Sequence, residues 1–252
     1  MRREPWAVMA LALLVAEPAA ALGICVEGNY PPFSEVLDDG TIVGFDIDIA
    51  EALCARIDET CTMVLTSWER MIPALTGGSC DAIVASMSDT AERRQEIAFT
   101  DRYYKAPVRF VGRSGMEGGD APEGLAGKVV GVQRGTIHEA FMQGEFPEVT
   151  LQPYGTQDEM VLDLTSGRLD AVMADSVALD LGFLKTPGGA DYAFFGEPYL
   201  DPKYHGEGAG IGVRKEDTEL RDKLSAAIDA IRASGEYATI QKKYFEYDVY
   251  GG

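Results

Sequence analysis

The segment LTGGSCDAIVAS, Leu75 to Ser86, returns as LTSGRLDAVMAD, Leu164 to Asp175, at a constant offset of 89 residues. Leu, Thr, Gly, the Asp-Ala pair and a second Ala coincide. Each copy reads as a helix end, a glycine turn and then a strand. A unit that returns once, each time leading into a strand, fits two similar lobes, each built on its own parallel sheet.

Outward from these copies, strand and helix patterns alternate, as in α/β proteins. Ile24-Cys25-Val26-Glu27 predicts a first strand. Phe45, Ile49, Leu53 and Ile57 then recur at i+4 spacing and predict a helix, with Asp46, Asp48 and Glu51 early and Arg56 late to complement its dipole. Further strands are predicted at Thr62–Leu65, Asp81–Ala85, Lys128–Val132 and Leu169–Met173. A Gly-rich stretch, RSGMEGGDAPEGLAG, separates the halves after Lys105. Helices are expected over the last 35 or so residues.

The chain has 252 residues, 46% of them hydrophobic, enough for a substantial core. Arg2 and Arg3, an apolar run from Trp6 to Val15 and then Ala19-Ala20-Ala21 predict a signal peptide over residues 1–21 and therefore export to the periplasm. The run is shorter than the 20 or so residues that a spanning helix needs. Two basic and two acidic residues in that segment cancel, so the formal charge of −19 belongs to the rest. Such a charge disfavours nucleic acid and anionic membranes as partners. Export permits disulfides. Cys54 and Cys61 stand seven apart, close enough to join a helix end to the next strand. For Cys25 and Cys80, a second bridge and two lone buried thiols remain equally open.

In open parallel sheets ligands bind beyond the carboxyl ends of the strands. Those ends supply Glu27 and Tyr30, Ser67 and Trp68, Ser86 and Ser88, Thr136 and Ile137, and Asp175, with Arg93 following in SDTAERRQ, read as the start of a helix. A guanidinium can grip a carboxylate through two parallel hydrogen bonds, although an isolated Arg is more often a surface residue. Thr136 and Glu139 form a capping-box pattern whose free N–H groups could hold an anion. Glu27 and Asp175 read equally as ligand partners and as caps or solvated loop carboxylates. No metal or cofactor is expected. His138 and His205 are the only histidines, the cysteine spacings suit no zinc site, and no nucleophile elbow or P-loop is present.

At GFDIDIAEAL (44–53), DAIVASMSDTAERRQEIAFT (81–100), GTIHEAF (135–141) and KKYFEYDVYGG (242–252), the chain resembles the family 3 periplasmic solute-binding proteins. It is especially similar to the histidine-binding and lysine/arginine/ornithine-binding members that serve ABC importers. The resemblance implies a two-lobed type II periplasmic binding fold with two hinge crossovers. Residues 22–106 and 204–252 would form one lobe and 107–203 the other. It implies a monomer that captures a cationic amino acid and delivers it to a membrane permease, not an enzyme.

By the same resemblance, Arg93 holds the ligand α-carboxylate with Ser88 and the N–H of Ile137. Asp175 takes the α-ammonium, near Ser86 and Ser88. Glu27 meets the distal positive group, and Tyr30 and Trp68 sandwich the side chain. Cys54 and Cys61 match the family's disulfide. Four departures bear on which ligand fits: Ala85 replaces Ser, Ile137 replaces Thr, Gln133 replaces an apolar residue and His138 replaces a polar amide. GTIHEAF is also similar to binders of opines, which are arginine conjugates. Two other functions occur on this fold. A cyclohexadienyl dehydratase needs a general acid or base but no cation-binding Glu27, and a sensory receptor would use the same pocket.

Overall fold

The computed structural model describes residues 21–116 and 122–251. The expected signal peptide lies, but for Ala21, outside the described residues, as does part of the Gly-rich stretch.

Two five-stranded sheets organise the chain. The first runs in the order Cys61–Leu65, Leu22–Val26, Ala82–Ile83, Ala209–Val213, Ala98–Tyr104. The second runs Thr150–Tyr154, Val129–Gln133, Ala171–Asp175, Val108–Arg113, Tyr192–Tyr199. In each, the first three strands are parallel, and the fourth is antiparallel to both its neighbours. The sheets are thus mixed α/β sheets of one pattern. The sequence reading found parallel strands of each sheet but none of the antiparallel ones. Those connect one sheet to the other, so they carry no local strand–turn–helix signature. The chain crosses between Tyr104 and Val108 and returns between Tyr199 and Ala209.

The repeated segment marks the same structural unit in both sheets. The helices Met71–Thr76 and Gln157–Thr165 end at turns in which Gly78 and Gly167 both take φ of 76°. A left-handed residue of this kind closes a helix, and glycine adopts it without steric cost. Next, Asp81 Oδ2 accepts from the N–H of Gly23 at 2.9 Å, and Asp170 Oδ2 from the N–H of Val129 at 2.8 Å. Each carboxylate satisfies a free backbone donor at the start of its sheet's central-side strand. The last residues of the two copies are Ser86, three residues past the strand Ala82–Ile83, and Asp175, the end of Ala171–Asp175, and both reach the space between the sheets.

The expected helix spans Phe45–Arg56 and buries Phe45, Ile49 and Leu53 against the first sheet. Phe45 stacks into an aromatic cluster with Phe33, Tyr103, Tyr104 and the C-terminal Phe245. The helix Thr218–Ser234 covers the same face with Leu224, Ile228 and Ile231. In the second sheet, Phe110, Phe141 and Phe146 form the corresponding core. Both cysteine pairs are bridged. Cys54–Cys61 joins the helix end to the next strand, and Cys25–Cys80 ties the strand Leu22–Val26 to the turn before Ala82. The second bridge resolves the alternative that spacing left open.

One local reading is corrected. Arg93 does not begin an α-helix; Arg93–Gln95 is a single 3₁₀ turn, because the strand Ala98–Tyr104 begins too soon after it. Asp46 lies in the first turn of its helix as expected, but it is only 1% exposed. Its oxygens accept from Ser86 Oγ and from the Tyr103 hydroxyl, each at 2.9 Å.

Candidate functional site

A cavity lies between the carboxyl ends of the parallel strands of the two sheets. From the first side it is lined by Glu27, Tyr30, Trp68, Ala85, Ser86, Ser88 and Arg93. From the second it is lined by Gln133, Thr136, Ile137, His138 and Asp175. Every ligand-site residue expected from sequence except Ser67 lines this one space. His138, noticed in the sequence only as a replaced amide, joins them.

Local structure explains each position. Glu27 is the residue after Leu22–Val26, and Trp68 follows Cys61–Leu65 by three residues. Gln133 ends its strand, Thr136 caps the helix Ile137–Glu145 by accepting from the N–H of Glu139, and Asp175 ends Ala171–Asp175. The Glu139 carboxylate reaches back to the N–H of Gly135 at 2.6 Å, one residue before the position a capping box would use. Ser86, with φ of 54°, gives its hydroxyl proton to Asp46, so within this network its Oγ is a spent donor.

Several hydrogen bonds span the cavity or its rim. Gln133 Nε2 donates to Glu27 Oε1 at 2.6 Å. The Tyr30 hydroxyl donates to Asp175 Oδ2 at 3.3 Å, as the Tyr104 hydroxyl does at 3.2 Å. Tyr104 had no signal in the sequence. Trp68 Nε1 donates to the Gly135 carbonyl at 3.1 Å. The Arg93 guanidinium lies over the Trp68 ring, 5.1 Å from its centroid, and donates to the Ser88 carbonyl at 2.9 Å. Outside the cavity, Arg134 pairs with Glu69 at 3.2 Å.

Burial governs the electrostatics. It pushes the Glu27 carboxyl up to about 7, with the Gln133 hydrogen bond opposing and the Asp158 charge adding to it. It pushes Asp46 up to about 7 against the bonds from Tyr103 and Ser86. Desolvation brings the half-buried Arg93 down to about 10, which leaves it cationic at neutral pH. Burial, then the Asp175 charge, raises the Tyr30 and Tyr104 hydroxyls well above their usual range, so both remain donors. The arrangement presents a guanidinium at one place and carboxylates at two others within one small space. It can pair a zwitterion that carries a further positive charge. Among the described residues no His, Cys, Asp and Glu group could hold a metal, and no helix is long and apolar enough to cross a membrane.

Two α/β lobes that face each other across a charged cavity define a two-lobed binding protein. Residues 22–247 match the model of the bacterial extracellular solute-binding proteins, family 3, and the chain belongs to that family. It is similar to an L-arginine-binding protein of Pseudomonas aeruginosa, 46% identical across 97% of this chain and 94% of the relative. It is 42% identical to the histidine-binding periplasmic protein of Escherichia coli across 97% and 98% of the two chains. A Salmonella typhimurium periplasmic binding protein solved to explain its high arginine specificity superposes with a TM-score of 0.83. It is 35% identical and covers 89% of this chain and 99% of its own.

Proposed function

We propose that this protein is the extracytoplasmic receptor of an amino-acid ABC importer and closes around a cationic L-amino acid, with arginine foremost and lysine, ornithine and histidine as alternatives. The observation that carries this reading is the charge set in the cavity, Arg93 with Glu27 and Asp175. Transfer of a charged amino acid from water is costly unless each charge finds a partner. Arg93 answers the α-carboxylate, Asp175 the α-ammonium and Glu27 the side chain, while Tyr30 and Trp68 flank its stem and flat head. A neutral amino acid would leave Glu27 unanswered in a closed cleft, which gives discrimination. The arginine and histidine ligands in the names of the relatives support the same class.

In this reading residues 22–106 and 204–252 form one lobe, 107–203 form the other, and residues 1–21 are removed on export. Ligand bridges both lobes and so favours the closed hinge state, which the membrane permease would receive. The cavity offers binding groups and no step of bond cleavage is assigned to it. A thermal-shift panel of the twenty amino acids with ornithine, citrulline and octopine tests the proposal. At a ligand concentration a hundredfold above Kd, linkage adds about 2.7 kcal/mol. Arginine or another cationic amino acid should raise Tm by several degrees; a shift with glutamate alone would refute the cationic class.

A further inference from the structure

His138 stands apart from the rest of the cavity wall. Its side chain is buried, 6% exposed for the whole residue, yet neither Nδ1 nor Nε2 has a hydrogen-bond partner. Buried polar atoms in folded proteins are nearly always paired, so an unpaired ring in a cavity wall points to a partner that comes with the ligand. Nε2 lies 3.6 Å from Asp175 Oδ1, beyond hydrogen-bonding distance. The two tyrosine hydroxyls at this carboxylate both bond Oδ2, which leaves Oδ1 on the histidine side.

Most titratable groups near the ring are engaged with other partners. From the strand Ala171–Asp175 it faces the Asp175 carboxylate, and Arg93 shares the cavity with it from across the cleft. The helix Pro202–His205 packs on His138's own helix and brings His205, whose Nδ1 lies 2.9 Å from the Asp201 carbonyl. The same short helix carries Lys203, which pairs with Glu145 at 3.1 Å. Glu139, on the ring's own helix, is turned to the N–H of Gly135. Tyr154, on the adjacent strand, is bonded to Asp163. Burial pushes His205 down, with the neighbouring His138 adding to the effect.

We propose that His138 completes the α-ammonium subsite: its neutral imidazole accepts a hydrogen bond from the ligand ammonium beside Asp175, and protonation of the ring expels the ligand. The proposal rests on the amino-acid reading above. A neutral imidazole keeps one nitrogen free as an acceptor, whereas the imidazolium is a donor at both. The protonated ring therefore cannot accept from an ammonium and instead competes with it for Asp175. Acidification is therefore the perturbation that separates the two forms of the ring. By reciprocity, bound ligand makes the ring harder to protonate.

Calorimetric titration with arginine from pH 8 down to pH 5.5, on the unmodified protein and on His138→Gln, tests this. Glutamine retains a neutral acceptor at every pH. Because Glu27 acts equally in both proteins, the ratio of their affinities isolates the imidazole. Once protonation excludes ligand, affinity falls by at most about tenfold for each pH unit, so the loss in the unmodified protein should exceed that in His138→Gln by a factor that grows toward the acid end. Independently of any variant, the chain has only two histidines, and ring nitrogen NMR follows each of them. Saturating arginine should lower the titration midpoint of one imidazole. Parallel affinity curves, or imidazoles whose midpoints arginine leaves in place, would overturn the proposal. Absence of binding by both proteins at pH 8 of arginine, lysine, ornithine and histidine alike would instead overturn the amino-acid reading on which it stands.

Discussion

The Gln133 side chain donates to Glu27 Oε1 at 2.6 Å; Glu27 follows the strand Leu22–Val26 of one sheet, and Gln133 ends the strand Val129–Gln133 of the other. One uncharged donor therefore faces a buried carboxylate across the cleft, too little to hold its charge at neutral pH. This is why the Glu27 carboxyl is pushed up to about 7. A ligand cation would supply what Gln133 cannot, and its binding near pH 7 should release part of a proton.

The same shift predicts how stability depends on pH. Glu27 holds its proton more tightly when folded than when unfolded. The stabilisation it confers is complete below its unfolded value near 4.5 and is lost as pH rises through about 7. Glu27→Gln keeps an acceptor for Gln133 and removes the charge. It should raise the Tm of the ligand-free protein at pH 8 by several degrees, corresponding to about 2–3 kcal/mol, and change little at pH 4. Equal changes at the two pH values, read by calorimetry, would contradict the account.

Both disulfides should be found in exported protein by peptide mapping without reduction. They close loops of different length, with separations of 55 and 7 residues. In the chain-entropy model the longer is worth about 4 kcal/mol and the shorter about 2 kcal/mol. Replacing Cys25 and Cys80 together by alanine should therefore lower Tm more than replacing Cys54 and Cys61. The opposite order would contradict this.

Gly44 starts the helix that carries Asp46 beneath the cavity, with φ of 136°. A Cβ there would lie 2.2 Å from the Phe33 carbonyl oxygen and 2.5 Å from its carbon, both backbone atoms. Gly40, with φ of 83°, has open space around it. Gly40→Ala should cost about 1–2 kcal/mol for the left-handed backbone alone, and Gly44→Ala distinctly more. Denaturant unfolding of the two variants measures the difference.

The parallel strands and the family motifs were legible because each states a local rule: apolar runs, a glycine turn, a carboxyl end. That is how Glu27, Arg93 and Asp175 could be gathered from distant parts of the chain. Asp46 was read as a helix-dipole residue because its first-turn position explains an acid adequately by itself. Its bonds to Ser86 and Tyr103 span 40 and 57 residues. Tyr104 escaped for the same reason, since its contact with Asp175 depends on how the two sheets face each other. The second disulfide needed the register that places Gly23 beside Asp81. Local signals define the elements, and partners across the cleft are set only when the sheets meet.

The most direct test of the account is calorimetry at pH 8 with arginine and citrulline on the unmodified protein, Arg93→Ala and Glu27→Gln. Removing one member of a buried charge pair costs roughly 2–5 kcal/mol, or about 30-fold to several thousandfold in Kd. Arg93→Ala should weaken both ligands to that extent, because both carry the α-carboxylate. Glu27→Gln should weaken arginine far more than citrulline, whose uncharged side chain still hydrogen-bonds an amide. Equal losses for the two ligands in Glu27→Gln would contradict the claim that Glu27 reads a positive side chain.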